Sequence, residues 1–483
     1  MSDQEYDVVV IGAGPTGENV ADRARRGGLS VAVAESELVG GECSYWACIP
    51  SKALLRPAAV LAAARAVGGA RQAVTGELDV AAVLARRTKF THGWSDDSGQ
   101  VKWLDGTGST LVRGAARLAG ERTVEVTKPD GGTVTLTARH AVVVATGSAA
   151  AIPPVPGLAE PLVWTSREAT SAEIVPGRLA ILGGGVVACE MATAWRALGA
   201  EVTMLVRGAG LLAKLEPFAG DLVARALRSA GVEIRTDTAV ARIRRLARAT
   251  PVEIWTGQAD QGQPADLVAD ELLVATGRVP RTARLGLESV GMAPGDWLTV
   301  DDSCLVGAVP GGWLYAVGDV NHRNLLTHMG KYQARACGDA IVARARGELD
   351  GPPAPWTHLA ASADHLGAPQ VVFTDPEVAA VGLTEAEALG RGLPVRAVDY
   401  ELGHVSGAVL AADGYAGQAR FVVDEERQVL VGATFAGPGT AELVHAATIA
   451  VVGEVPLGRL WHAVPSFPTI SEVWLRFLET YGL

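Results

Sequence analysis

The chain carries one glycine-rich turn twice, each time after an apolar run that reads as a β-strand. The first copy, Gly12-Ala13-Gly14-Pro15-Thr16-Gly17, ends the strand Asp7 to Ile11 and opens a helical pattern through Arg26. A second strand, Ser30 to Ala34, ends at Glu35, eighteen residues past Gly17. Glycines allow the tight turn and close backbone approach, the helix N-terminus receives a pyrophosphate, and the acid accepts ribose hydroxyls. In this strand, helix, strand and acid context, the turn specifies a dinucleotide-binding Rossmann unit.

The second copy follows Leu179 to Leu182 and runs Gly183-Gly184-Gly185-Val186-Val187-Ala188, with a helix to Leu198 and a strand Glu201 to Val206. Ala188 replaces the third glycine. No acid closes the second strand, and Arg207 stands there instead. An arginine suits a 2′-phosphate that an acid would repel, so NADPH is favoured over NADH, with Lys214 as a second candidate contact. A further echo sets the boundaries. Val142-Val143-Val144-Ala145-Thr146-Gly147 and Leu272-Leu273-Val274-Ala275-Thr276-Gly277 are near copies, each a buried strand that ends in a turn and closes one module. Pro153, Pro154 and Pro156 mark a linker. The echo puts the end of the first unit near residue 150 and an inserted second unit at about 155–275, so the fold expected from these motifs is α/β with two Rossmann-type dinucleotide-binding domains.

Cys43 and Cys48 lie in GGECSYWACIPSK, just after the second strand of the first module. Five residues apart on an ideal α-helix, their Cα atoms would be roughly 8 to 9 Å apart. A disulfide needs less than about 7 Å. For the two to join, the chain between them must be irregular, and Pro50, a residue tolerated in the first turn of a helix and disfavoured inside it, places Cys48 near a helix N-terminus. The positive end of the helix favours a thiolate there, and Lys52 adds a cation one turn on. The competing reading is a pair of inert core cysteines.

Composition narrows the functional classes. The 483 residues suit about three domains, and 48% are hydrophobic, enough for large cores. A formal charge of −11 offers no footprint for nucleic acid or an anionic membrane. The N-terminus shows no secretory signal and no apolar run reaches the roughly 18 residues of a membrane span. A cytoplasmic location is expected, where a persistent disulfide is usually catalytic or redox-sensing. Cys189, Cys304 and Cys337 lack metal-ligand spacing and read as packing residues, so no metal is expected.

These features resemble the class I pyridine nucleotide-disulfide oxidoreductases, the flavoproteins that include dihydrolipoamide dehydrogenase, glutathione reductase and mercuric reductase. The resemblance covers essentially the whole chain. It rests on the redox stretch with Gly41, both fingerprints, ATGRVPRT around Gly277, WLYAVGDV around Gly318 and Asp319, and TDPEVAAVGLTE from Thr374. It implies FAD and a nicotinamide cofactor. It further implies that Asp319 holds the ribityl chain, that Glu190 sits beside the nicotinamide, and that Lys52 pairs with Glu190 near flavin N5. Cys43 would be the interchange thiol and Cys48 the thiol stacked on the flavin. Electrons would pass from NADPH to FAD, to the Cys43–Cys48 disulfide, and then to a small-molecule acceptor. Residues from about 351, with strands around Gln370 to Phe373, Ala419 to Val423 and Leu430 to Phe435, resemble the family's interface domain, which implies a C-terminal α+β dimerisation domain and a homodimer whose C-terminal end completes the partner's site. The resemblance thus implies the segments 1–154 (FAD-binding, first part), 155–276 (NAD(P)-binding), 277–350 (FAD-binding/central, second part) and 351–483 (interface).

The sequence departs from the pattern at Ser466-Phe467-Pro468-Thr469-Ile470-Ser471-Glu472, where the family's catalytic histidine is replaced by Phe467. Glu472 loses the imidazole it would orient, and general base assistance worth roughly 10²–10⁴ in rate is missing. His462 is the only nearby substitute. The chain also lacks the C-terminal cysteine pair of mercuric reductases. Tyr45 and Trp46 between the cysteines either fill core space or form a platform for an aromatic acceptor. Two activities follow: an NADPH-dependent disulfide reductase, or an NADPH:quinone reductase in which the flavin acts directly. A third reading is a catalytically idle flavoprotein subunit.

Overall fold

The structure, a computed structural model, describes residues 3–159, 162–257 and 263–483. It divides into two compact units, Met1–Ile49 with Thr88–Ala149 and Arg278–His365, and Pro50–Arg87 with Ala150–Gly277 and Leu366–Leu483.

The first unit is built on a mostly parallel sheet. Strand β1 (Asp3–Ile11) lies between β2 (Val31–Glu35) and the strand Thr133–Val144, with Val8 opposite Val31 and Val10 opposite Val143. Leu314–Ala316 pairs in parallel with Thr133–Val144, and Thr110–Arg113 continues the sheet beyond β2. Val8, Val9 and Val10 are all fully buried, because the sheet is covered on both faces. Successive side chains point to opposite faces: Val9, Ile11, Val142 and Val144 join one core, and Val8, Val10 and Val143 the other. Helix α1 (Pro15–Arg26) and the helix Thr327–Ala345 share the second core through Val20, Ala21, Ala24, Ala334 and Ile341. Their approach is close. A β-carbon added at Gly338 would stand 2.5 Å from that of Arg23.

The second unit contains a parallel sheet in the order Glu233–Arg235, Glu201–Leu205, Arg178–Leu182, Glu271–Val274. It also holds a five-stranded antiparallel sheet, ordered Gln370–Val372, Glu377–Gly382, Val429–Gly437, Gln418–Asp424, Val395–Glu401. Its core is aromatic: Phe421 stacks on Phe477 at 4.2 Å between ring centroids and meets Phe435 edge-on at 5.4 Å. The strands expected at 370–373, 419–423 and 430–435 are present; Glu377–Gly382 and Val395–Glu401 were not anticipated. Val409, Leu410, Ile449, Val464 and Phe467 of this unit are exposed.

The stretch 41–65 is long and apolar enough by length and composition to cross a membrane, contrary to the reading from sequence. Lys52 and Arg56 interrupt its apolar run, although its average remains apolar. It is broken at Trp46 and Ala47, and Lys52 is ion-paired inside the second unit.

Candidate active site

The first fingerprint forms the cradle its spacing predicts. Gly12 has φ 103° and a β-carbon there would stand 2.5 Å from the Ala145 carbonyl oxygen; one at Gly17 would stand 1.9 Å from the Gly12 carbonyl oxygen. Neither position tolerates a side chain. Gly41 packs its α-carbon region against Gly14, where an added β-carbon would lie 2.7 Å away. The N-cap of α1 is Gly14, which offers no side-chain cap, so the leading N–H groups are left for an anion. Glu35 closes the turn, its Oε2 accepting from the Ala13 amide at 2.7 Å and its Oε1 from the Glu37 amide at 2.8 Å. Thr146, beside Gly147 at the end of the strand Thr133–Val144, has a buried hydroxyl without a partner among the described residues. An uncapped helix start and an orphaned hydroxyl fit a bound dinucleotide.

Asp319 sits in a polar set that the sequence did not reveal. Ser148 Oγ donates to its Oδ2 at 2.5 Å, and Arg278 donates from Nε to Ser148 Oγ at 2.5 Å, 3.7 Å from the carboxylate. Gln333 Oε1 accepts from the Gly318 amide and from Asn321 Nδ2, both at 2.8 Å, and so fixes the Gly318–Asp319 turn.

The dithiol lies where the helix breaks. Helix α2 (Gly41–Tyr45) carries Cys43 and ends at Trp46; α3 (Cys48–Arg65) begins at Cys48 itself. The irregular intervening chain brings the two sulfurs close enough to act on each other, and both are thiols, half-buried. The Cys48 sulfur is the first cause, and burial the second, of a strong upward push on the Cys43 thiol; the Thr327 hydroxyl and the Lys331 ammonium pull it down. Thr327 Oγ1 also lies 3.3 Å from Cys48 Sγ. Thr327 and Lys331, at the start of the helix Thr327–Ala345, escaped the sequence reading because neither belongs to a motif. Tyr45 is buried, and its carbonyl accepts from Trp94 Nε1 at 2.7 Å, so it fills core space; Trp46 is half-buried.

In the second unit the other fingerprint repeats the first. Gly183 has φ 130°, and its added β-carbon would stand 2.3 Å from the Ala275 carbonyl oxygen, the relation Gly12 has to Ala145. The N-cap Gly185 of the helix Val186–Ala197 again lacks a side-chain cap, and Arg207 is exposed just past Glu201–Leu205. Gly277 keeps φ 146°. Glu190, 3% exposed, accepts from Lys52 Nζ at 2.7 and 3.0 Å and from the Phe373 amide at 3.0 Å. Lys52 Nζ lies 4.8 Å from the Phe373 ring centroid, a cation–π contact.

At the C-terminal end Phe467 is exposed and Glu472 buried, with Oε2 unpartnered among the described residues. His462 is exposed. Cys189 is buried, which pushes its thiol up to about 12. Cys304 and Cys337, 33 residues apart in sequence, meet in the second core of the first unit, where Cys337 and burial raise the Cys304 thiol. No cluster of three or more His, Cys, Asp or Glu side chains placed to hold a metal occurs among the described residues.

Two uncapped dinucleotide cradles and a close-set dithiol define a dinucleotide-dependent redox protein. Residues 6–344 match the family described as pyridine nucleotide-disulphide oxidoreductase, and 368–476 match its dimerisation domain. The chain belongs to this family and is an FAD-containing oxidoreductase. It is 33% identical over 480 residues to dihydrolipoyl dehydrogenase 3 of Pseudomonas aeruginosa, covering 97% of this chain and 96% of the relative. It is 29% identical over 475 residues to a mercuric reductase of Staphylococcus aureus, covering 97% and 81%. The fold matches the LpdA structure from Mycobacterium tuberculosis with TM-score 0.82 at 22% identity over 99% and 100% of the two chains. It matches the HOCl-induced flavoprotein disulfide reductase RclA from Escherichia coli with TM-score 0.80 at 24% identity over 98% and 99%. The family uses FAD and a nicotinamide cofactor, and its dimerisation domain supports a homodimer.

Proposed function

We propose that this chain carries electrons from NADPH, by way of FAD and the Cys43–Cys48 pair, to a small disulfide acceptor in the cytoplasm. The observation that carries this reading is the closeness of the two thiols across the break between α2 and α3, beside the Thr327 hydroxyl that lies 3.3 Å from Cys48 Sγ. When bound, the nicotinamide donates a hydride and the flavin accepts it. FAD is assigned to Gly12, Gly14, Gly17, Glu35, Gly41, Thr146, Gly147, Gly318 and Asp319. NADPH is assigned to Gly183, Gly185, Arg207 and Gly277, with Glu190 and Lys52 as a charged pair at the reacting end. The domain organisation read from sequence, 1–154, 155–276, 277–350 and 351–483, is part of this assignment.

The dithiol then works by exchange. Cys43 loses its proton and attacks one sulfur of the acceptor, whose other sulfur leaves as a thiolate and takes up a proton. Cys48, held as the better thiolate at the start of α3, attacks Cys43 Sγ, expels the second acceptor thiol and leaves Cys43 and Cys48 joined. Cys43→Ser tests the reading: turnover of every disulfide acceptor should cease while the flavin is still bleached by NADPH. Full activity in that variant overturns it.

A second reading, NADPH:quinone reduction by the flavin itself, is favoured by the loss of the histidine base at Phe467. It requires quinone reduction that survives Cys43→Ser.

A further inference from the structure

The loop from Arg207 to the helix Pro217–Ser229 is held at its two ends by different parts of the second unit. At its start Arg207 leaves the strand Glu201–Leu205, and the Asp237 amide donates to the Gly208 carbonyl at 3.0 Å. Gly208, Ala209 and Gly210 follow, a stretch with no side chain larger than a methyl to fix it. The middle is pinned to the second cradle: Leu211 and Leu212 are buried, and the Leu212 amide donates to the Gly184 carbonyl at 2.8 Å. Lys214 is exposed, and two residues later the loop ends at Glu216.

Glu216 belongs to none of the motifs. It is the N-cap of the helix Pro217–Ser229, where a side chain ordinarily accepts from the first amides of its own helix, and it makes no such bond. The residue is 2% exposed, and its carboxylate turns to the antiparallel sheet instead. Oε1 accepts from the Glu385 amide at 2.7 Å and Oε2 from Arg420 Nη1 at 3.0 Å. Arg420, on the strand Gln418–Asp424, also grips Asp399 through Nε and Nη2, both at 2.7 Å, and Glu385 through Nη1 at 2.9 Å. One guanidinium thus serves three carboxylates. The two-bond grip on Asp399 orients its plane, so the Nη1 that meets Glu216 is aimed by the sheet and not by the loop.

We propose that Glu216 and Arg420 are positioning residues for the 2′-phosphate of NADPH: they hold the far end of this loop, and so keep Arg207 and Lys214 in place before the cofactor arrives. This rests on the NADPH reading above, in which Arg207 meets that phosphate. With the ion pair broken, Leu211 and Leu212 alone anchor the loop, and two long cationic side chains become ordered only on binding, at a cost to affinity. Without Arg420, Glu216 becomes a buried carboxylate beside Glu385 with no cation, which drives the loop end out of its seat. The turn at Gly183 is set by Ala275 and by the bond from its amide to the Leu205 carbonyl. It does not lean on Glu216, so the loss falls on the phosphate and spares the rest of the nucleotide.

The test reads binding without turnover. In FAD-loaded protein the dissociation constants of 2′,5′-ADP and of 5′-AMP are measured by calorimetry, and the parent should bind 2′,5′-ADP the more tightly. Glu216→Ala and Arg420→Met should each weaken 2′,5′-ADP about three- to tenfold, the size expected when a long side chain must be ordered on binding, with 5′-AMP unchanged. The double variant should lose no more than either single one, because both changes break the same link. Glu216→Gln, whose amide oxygen still accepts from Glu385, should lose less than Glu216→Ala. If Arg420→Met does not fold, the two Glu216 variants decide. A parent that binds both ligands equally overturns the NADPH reading and the proposal with it. A folded Glu216→Ala variant that keeps the parent's preference, or that weakens both ligands by the same factor, overturns the proposal alone.

Discussion

Lys52 Nζ lies 2.7 Å from Oε2 of Glu190 and 3.0 Å from its Oε1, tying α3 to the helix Val186–Ala197 inside the second unit. The carboxylate is almost wholly buried, and the Phe373 amide is its other donor. Two segments some 138 residues apart in sequence are thereby joined by one charged contact.

Removing the lysine isolates that carboxylate. Breaking a buried ion pair from one side costs roughly 3–5 kcal/mol. The Lys52 side chain is 36% exposed, so water shares the interaction, and Lys52→Met should cost about 2–3 kcal/mol. Glu190→Gln should cost less, because the amide oxygen still accepts from Phe373 and the lysine still reaches water. Urea unfolding of the two variants checks the order; equal and negligible losses would show that the pair contributes nothing to stability.

Phe467→His should restore an acceptor for a proton at the C-terminal end. Glu472 is already buried with its Oε2 unpartnered among the described residues, the state expected of an acid that has lost a histidine to orient. Disulfide turnover should rise at least about tenfold, within the roughly 10²–10⁴ that a positioned base supplies, and Glu472→Gln should remove most of that gain. If Phe467→His leaves turnover unchanged with every disulfide tried, the C-terminal end does not serve the thiol.

The glycine turns made both cradles legible because each needs a backbone that no side chain permits, as Gly12 against Ala145 and Gly183 against Ala275 demonstrate. The dithiol was legible for a related reason. A disulfide across five residues excludes a continuous helix, and the chain does break between Tyr45 and Cys48. What surrounds the dithiol was not legible. Thr327 and Lys331 come from a helix almost 300 residues downstream. Ser148 and Gln333 were missed likewise, since one small hydroxyl and one amide carry no pattern. The pairing of Cys304 with Cys337 also exists only in the folded chain, with both buried as packing residues.

Arg207 offers a test of cofactor choice. It is exposed past the strand Glu201–Leu205, at the place where an acid would otherwise meet the adenosine ribose. Arg207→Ala should raise the KM for NADPH about tenfold or more, as loss of a charge-assisted contact to phosphate implies. The KM for NADH should be nearly unchanged. Parallel losses with both cofactors would mean that Arg207 supports the strand end and does not read the 2′-phosphate.

Glu18 makes stability depend on pH in a direction opposite to most acids. Burial holds its carboxyl at about 7 in the folded chain, against an ordinary value of 4.5. The folded state thus binds the proton more tightly than the unfolded state. The stabilising contribution is complete below pH 4.5, declines as pH rises, and is gone above about 7. A gap of that size corresponds to at most about 3 kcal/mol. Glu18→Gln removes the titration but keeps the volume, so the variant should gain on its parent between pH 5 and pH 8, with no further change on either side of that window. Urea unfolding of the FAD-loaded protein at the two pH values measures this. A difference between variant and parent that is the same at both would mean that Glu18 is already ionised at pH 5.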